Sequence, residues 1–397
     1  AHSNLVDFIN HHGVDTQWQR GFYEHMHAYP ELSGEEKETA GFIQDKLREF
    51  DCEVITNIGG HGIVALFHNG EGPTVLFRAD FDGLPVQEAT GVPFASKNEG
   101  QMHACGHDMH TTALLGLCQI LNESRDRWQG TFIALFQPAE ETASGAAAMV
   151  ADGLTSRIPT PDVCFGQHIV AGQAGKIMSM PGPALAACDT ITIELFGRSA
   201  HGSMPHDSID PTFLAAMIVV RLQGIVGREV SPEHFAVVTV GTLTSGHTNN
   251  TIPGSATLVL NCRFYDDDVK ARTYAAIERV VRGECIASGC EKEPTFTYSN
   301  HGELTDNSPE VFSKVRPLFD AVFDDASVDA QRWTASEDFS EVPRAFGVPY
   351  FFWLIGANSD DADAPGNHMP DFLPDYEPVV SASNRAALAA VLAYLAV

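Results

Sequence analysis

Apolar and polar positions repeat in two textures along the chain. Through the first half, helical spacing predicts helices over 3–28, 34–50, 108–122 and 144–153, and short apolar runs predict strands over 53–57, 62–68, 73–80 and 131–137. Near residue 186 the texture changes. Asp189-Thr190-Ile191-Thr192-Ile193-Glu194-Leu195 alternates polar with apolar, as a strand with one wet face must. A helix over 210–227, strands over 235–242 and 255–264, a helix over 268–288 and a strand over 293–299 follow. That order, β-α-β-β-α-β, is a ferredoxin-like unit. After residue 302 the helix and strand alternation resumes, with a buried-looking strand over 349–354 and a closing helix over 380–395. The pattern predicts an α/β chain with a mixed central sheet flanked by helices. This larger domain, 1–185 and 302–397, is interrupted by a smaller inserted one at 186–301.

Ser33-Gly34-Glu35-Glu36 reads as a capping box opening the second helix, which makes Pro30, Glu31 and Ser33 structural. Asn358 to Asp363 reads as a short acidic loop.

Composition narrows the partners. A chain of 397 residues exceeds a single core, and 44% hydrophobic content can fill two. Its formal charge of -28 disfavours nucleic acid and anionic membrane, so an anionic substrate would need a local basic group. The eight cysteines are spread through apolar or helical stretches, which predicts free thiols and a cytoplasmic protein. No leader-like opening and no run of about 18 apolar residues is evident, although a leader removed ahead of residue 1 is compatible with this.

The candidate chemistry is concentrated in His103-Ala104-Cys105-Gly106-His107-Asp108-Met109-His110, where thiol, imidazole and carboxylate crowd together as packing alone would not require. Glu140-Glu141 follows a strand, and His168 and His368 lie in strand-end contexts. Together these segments offer donors that zinc and its neighbours accept, the thiolate favouring zinc over magnesium or calcium. Of the paired glutamates, one can bind metal while the other faces water, a division suited to hydrolysis. The alternative is a helix start favoured by its dipole. Asp80 and Asp82 end a strand on the same side, where Asp82 can orient a metal-bound histidine or simply form an Asp-Gly turn. His103 and His110 are explained equally by capping or loop hydrogen bonds, and Cys118 by packing. In the inserted domain, His201 needs domain closure or a second subunit to reach a metal. Arg263 suits a planar carboxylate, with a cross-strand ion pair as its plain alternative.

Nine ordered blocks, HAYPELSGEE (27–36), FRADFDGLP (77–85), HACGHDMH (103–110), QPAEE (137–141), GQH (166–168), GRSAHGSMPH (197–206), NTIPG (250–254), SEDF (336–339) and GNHMP (366–370), cover nearly the whole chain. They resemble the di-metal aminoacylase, carboxypeptidase and amidohydrolase superfamily, in its N-acyl-amino-acid amidohydrolase branch. The resemblance implies a two-metal centre held by Cys105, His107, Glu141, His168 and His368, with Glu140 as general base and acid and Asp82 behind His107. Zinc is the first expectation, with manganese, cobalt or nickel as substitutes. The resemblance further implies that the inserted domain is a lid and dimerisation domain. From it His201 would stabilise the oxyanion in a neighbouring subunit, and Asn250 and Arg263 would hold the substrate. Asp80 stands where other branches carry a metal histidine and is expected behind the ligands. The implied reaction is hydrolysis of small N-acyl-amino acids by a homodimer. Dipeptidase or carboxypeptidase activity on the same scaffold is one rival, and a catalytically silent metal-binding protein is another.

Overall fold

The computed structural model describes residues 2–358 and 363–397, so that most of the acidic loop expected at Asn358 to Asp363 lies outside the described residues. The chain divides into two compact units, the first comprising Ala1–Ala184, Asp306–Gln331 and Asp338–Val397, the second Leu185–Thr305 and Arg332–Glu337.

The first unit is built on an eight-stranded mixed sheet. From one edge the strands run Glu53–Ile58, Gly62–Asn69, Gly130–Gln137, Thr74–Asp80, Val163–Gln173, Tyr350–Asn358, Ile177–Ser179 and Ser327–Asp329. The four central strands are mutually parallel. Helices cover both of their faces, which is why they read as near-continuous apolar runs such as Thr131-Phe132-Ile133-Ala134-Leu135-Phe136. The core joins Phe77, Phe165 and Trp353 of the sheet to Leu114 and Leu121 of helix His107–Glu123 and to Leu388 and Leu392 of helix Tyr376–Leu395.

Two local expectations change. The helix expected over 3–28 is two helices, His2–Asn10 and Trp18–Ala28, parted by a loop in which Gly13 takes a left-handed φ of +73°. The capping box does not form. Helix Lys37–Leu47 is capped by Glu31, whose carboxylate accepts the Thr39 N–H at 2.5 Å and the Glu38 N–H at 3.3 Å, while Ser33 and Glu36 are used elsewhere.

The second unit carries a four-stranded antiparallel sheet in the order Ala236–Ser245, Ser255–Phe264, Ala187–Phe196, Thr295–Gly302, with helices Pro211–Arg228 and Asp267–Ala287 in the connections. That is the ferredoxin-like order. Its strands alternate inward residues such as Ile191, Ile193 and Leu195 with outward polar ones. One expectation about apolar runs is corrected: Pro211–Arg228 and Tyr376–Leu395 both have the length and mean hydropathy of a membrane span. Most of the second is buried inside its own unit, as expected of a core helix.

Candidate metal centre

Five segments of the first unit converge at the carboxyl ends of its parallel strands, where open α/β sheets gather ligand-binding groups. Asp80 ends its strand and Asp82 follows two residues later; Glu140 and Glu141 follow strand Gly130–Gln137; His168 lies within Val163–Gln173. Cys105 and His107 flank Gly106, and His368 comes from the loop before the closing helix. Gly106 has a φ of +79°, and a Cβ there would meet Ile169 at 3.2 Å, so the turn that separates thiol from imidazole requires glycine.

The glutamate turn is anchored from behind. Ala139, itself left-handed at φ +51°, donates its N–H to buried Glu36 at 2.8 Å. Burial pushes the Glu36 carboxyl up to about 7. A Cβ on Gly145 would come within 1.6 Å of the Pro138 carbonyl oxygen, so the chain must be glycine where it passes under the turn. Asp82 Oδ2 accepts both the Glu141 N–H at 2.9 Å and the Ser33 hydroxyl at 2.8 Å. Ser33 therefore positions a site residue instead of capping a helix.

His107 stands at the centre. Its Nδ1 donates to Asp82 Oδ1 at 2.9 Å. Its Nε2 is buried with no hydrogen-bond partner, 3.2 Å from Asp80 Oδ2, 3.4 Å from Glu141 Oε1 and 3.5 Å from Glu140 Oε1. Burial opposes a charge on this ring, yet Asp80 and Asp82 hold its pKa well above the ordinary imidazole value. The surroundings call for positive charge at Nε2, which a proton or a metal cation can supply.

The other donors are arranged alike. His168 donates Nδ1–H to the Ile169 carbonyl at 2.7 Å, which directs the Nε2 lone pair inward, 3.6 Å from Cys105 Sγ. His368, left-handed at φ +72°, brings Nε2 within 3.3 Å of Glu141 Oε2, and Glu141 Oε1 is buried without a hydrogen-bond partner. Donor atoms of Cys105, His107 and Glu141 lie within 4.8 Å of one another, as do those of Asp80, His107, His110 and His168. Burial, with Glu141 nearby, raises the Cys105 thiol to about 12, so the thiolate needs a cation to form at neutral pH. Two bare inward atoms, a thiol and a surplus of carboxylates fit divalent cations.

Sequence reasoning left His110 between ligation, capping and a hydrogen bond to the loop, and it missed the buried network around Arg78. His110 donates Nδ1–H to Asp80 Oδ1 at 2.7 Å, and its Nε2 accepts the Ile169 N–H at 2.9 Å. Both nitrogens are thus occupied, and His110 orients Asp80. Beneath Asp80 lies a buried network in which Arg78 reaches Asp80 at 3.3 Å, Asp338 at 3.0 Å and Gln137 at 2.8 Å, with Gln137 also donating to Asp338. The available signal was an arginine inside the apolar run ending at Asp80.

His201, Asn250 and Arg263 belong to the second unit. His201 and Thr251 are paired across a two-stranded ribbon, and the Asn250 carbonyl accepts the Gly202 N–H at 2.6 Å, so His201 and Asn250 are neighbours. His201 is exposed, and its Nδ1 accepts the Ser203 N–H at 3.1 Å. Arg263, on strand Ser255–Phe264, donates to Asn261 at 2.9 Å and to the Thr334 carbonyl at 2.7 Å.

Residues 76–389 match the model of peptidase family M20/M25/M40. The chain belongs to this family. It is an M20 hydrolase with the amidohydrolase relatives that its ligand pattern suggested. An N-acyl-L-amino acid amidohydrolase of Geobacillus stearothermophilus is 38% identical, over 71% of this chain and 75% of that protein. Thermostable carboxypeptidase 1 of Saccharolobus solfataricus is 33% identical over 88% of each. Among solved structures, the Bacillus subtilis YXEP protein, described as a dinuclear metal binding peptidase from the M20 family, superposes with a TM-score of 0.79 at 28% identity. The match covers 95% of this M20 chain and 98% of that one.

Proposed function

We propose that this M20 hydrolase cleaves the amide bond of N-acyl-L-amino acids, releasing a carboxylic acid and a free amino acid, with two divalent ions held by Cys105, His107, Glu141, His168 and His368. The observation that carries this reading is the bare, buried Nε2 of His107 amid oxygens of Asp80, Glu140 and Glu141. The name of the Geobacillus relative supports the substrate class, and the description of the Bacillus structure supports two metals. The thiol favours zinc, with manganese, cobalt or nickel as substitutes.

When bound, such ions lower the pKa of water and polarise a carbonyl. Glu140, beside His107, takes the proton of the attacking water and returns it to the leaving amine. Asp82 fixes the His107 tautomer, and Asp80, held by His110 and Arg78, keeps the cavity negative. In the second unit, Nδ1 of His201 accepts a backbone N–H, so the neutral ring carries its proton on Nε2 as a donor for an oxyanion. The two hydrogen bonds of Arg263 run to neutral oxygens, which leaves its charge available to the substrate α-carboxylate. Asn250, beside His201, suits the substrate carbonyl. The second unit would also form a homodimer, with His201 serving the partner.

The carboxypeptidase relative favours a second reading, removal of a C-terminal residue from a peptide. Amino-acid release is to be measured on a panel of N-acyl-amino acids, dipeptides and longer peptides, before chelation, after it, and after zinc or manganese is restored. Metal-dependent release from acyl-amino acids is expected. Preference for peptides would move the assignment to the second reading, and no release despite two bound metals would mark a silent member.

A further inference from the structure

A second buried charge cluster lies outside the residues assigned so far. His27, fully buried near the end of helix Trp18–Ala28, carries a carboxylate on each ring nitrogen: Asp108 Oδ2 is 2.8 Å from Nδ1 and Glu88 Oε2 is 3.0 Å from Nε2. Both carboxylates are themselves restrained. Asp108 Oδ1 accepts the Met109 N–H at 2.9 Å; Glu88 accepts the Ser96 N–H at 2.9 Å and the hydroxyl of Thr90. With Asp108 and Glu88 on either side, and despite its burial, the imidazole is raised to about 9.

Three segments are joined here, and Phe94 packs against the rings of Tyr23 and His27 at the same junction. One is helix Trp18–Ala28, one is the first turn of the helix that opens with His107, and one is the stretch 86–100, which forms no helix or strand. Besides these ring contacts, that stretch is tied by hydrogen bonds from the Lys97 N–H to the Ala28 carbonyl and from the Asn98 amide to the Pro30 carbonyl, each at 2.8 Å. A third, Ala89 N–H to the Pro370 carbonyl at 2.8 Å, ties it to the loop that presents His368. His368 in turn donates its N–H to the Ala104 carbonyl at 2.7 Å, next to Cys105.

We propose that His27 is a positioning residue which, by bridging Glu88 and Asp108, fixes the 86–100 stretch and through it the placing of His107 and His368 for metal. The inference rests on the two-metal reading. A buried ion cluster that only stabilises the fold would have the same static geometry, so the test must separate metal affinity from stability.

Zinc affinity and stoichiometry, measured by competition with a chromophoric chelator, are to be compared for the wild type, His27→Gln, Glu88→Ala and Glu88→Gln, together with the thermal midpoint of each metal-free protein. Glu88→Ala is expected to weaken at least one zinc site by about tenfold or more, the scale seen when partners behind metal ligands are removed. Glu88→Gln, whose amide oxygen can still accept the Ser96 N–H while its amide N–H donates to Nε2 of a neutral His27, is expected to restore affinity to near wild type. His27→Gln should behave like Glu88→Ala, and if it does not fold, the Glu88 pair decides. A lowered midpoint in Glu88→Ala with both zinc affinities unchanged would overturn the proposal. Failure of the two-metal reading is separately visible, because the wild type itself would then bind no zinc, and the positioning role would fall with it.

Discussion

At the scale of single residues, the proposed mechanism separates ligands from the group that moves protons. Glu140 and Glu141 are adjacent, and both lie near His107 Nε2, at 3.5 and 3.4 Å, yet only Glu141 also meets His368. Glu140→Gln should therefore keep both metals and lose about 10²-fold or more in kcat, the usual size of a general acid-base contribution. Wild-type turnover with two metals bound would remove Glu140 from this role. Glu36 permits a test by pH. Burial raises its carboxyl from 4.5 to about 7, although the Ala139 N–H pulls the other way. The folded state thus holds this proton more tightly than the unfolded chain. Its contribution to stability is complete below pH 4.5 and is lost as pH rises toward 7. Thermal midpoints of the wild type should accordingly fall relative to Glu36→Gln across that window, and a difference independent of pH would mean that Glu36 titrates normally.

At the scale of elements, the turn through Cys105-Gly106-His107 is the most exacting piece of backbone. Gly106→Ala would force a side chain into the left-handed region, at a cost of about 1–2 kcal/mol, and press it on Ile169. A lower thermal midpoint and weaker zinc binding are expected together; an unchanged affinity would show that the turn tolerates the shift. This turn was legible in the sequence because its chemistry is contiguous. So were the strands ending at Asp80 and Gln137, whose apolar runs are unbroken. Strand Val163–Gln173 was foreseen only as a strand end at His168 and not in its bounds, because Gly166, Gln167 and His168 interrupt its apolar pattern just where it serves the site. The capping box failed for another reason: Ser33 and Glu36 satisfy the local rule, but Asp82 and Ala139, far along the chain, compete for them successfully. Long-range pairing also hid Asp338, which meets Arg78 across 260 positions, and it decided the role of His110. Periodicity reports which face is buried, and it is silent on which lone pair is already in use.

At the scale of the whole molecule, the second unit exposes what a partner copy could cover. Helix Pro211–Arg228 leaves Phe213, Met217 and Val220 at 62%, 40% and 69% exposure, spaced to share one face, and strand Ala236–Ser245 is an edge of its sheet. If this is the dimer surface, Phe213→Glu should shift light scattering from dimer to monomer and lower activity through loss of His201 in trans. A wild type that is monomeric at full activity would contradict that role. The strand order of the first unit has a separate consequence, for synthesis. Tyr350–Asn358 inserts between Val163–Gln173 and Ile177–Ser179. A chain leaving the ribosome must therefore complete the entire second unit while the first still displays an open, apolar sheet margin, the kind of intermediate that invites aggregation. Every proposed ligand except His368 has been made by then, so the nascent chain carries an incomplete ligand set until its last segment emerges.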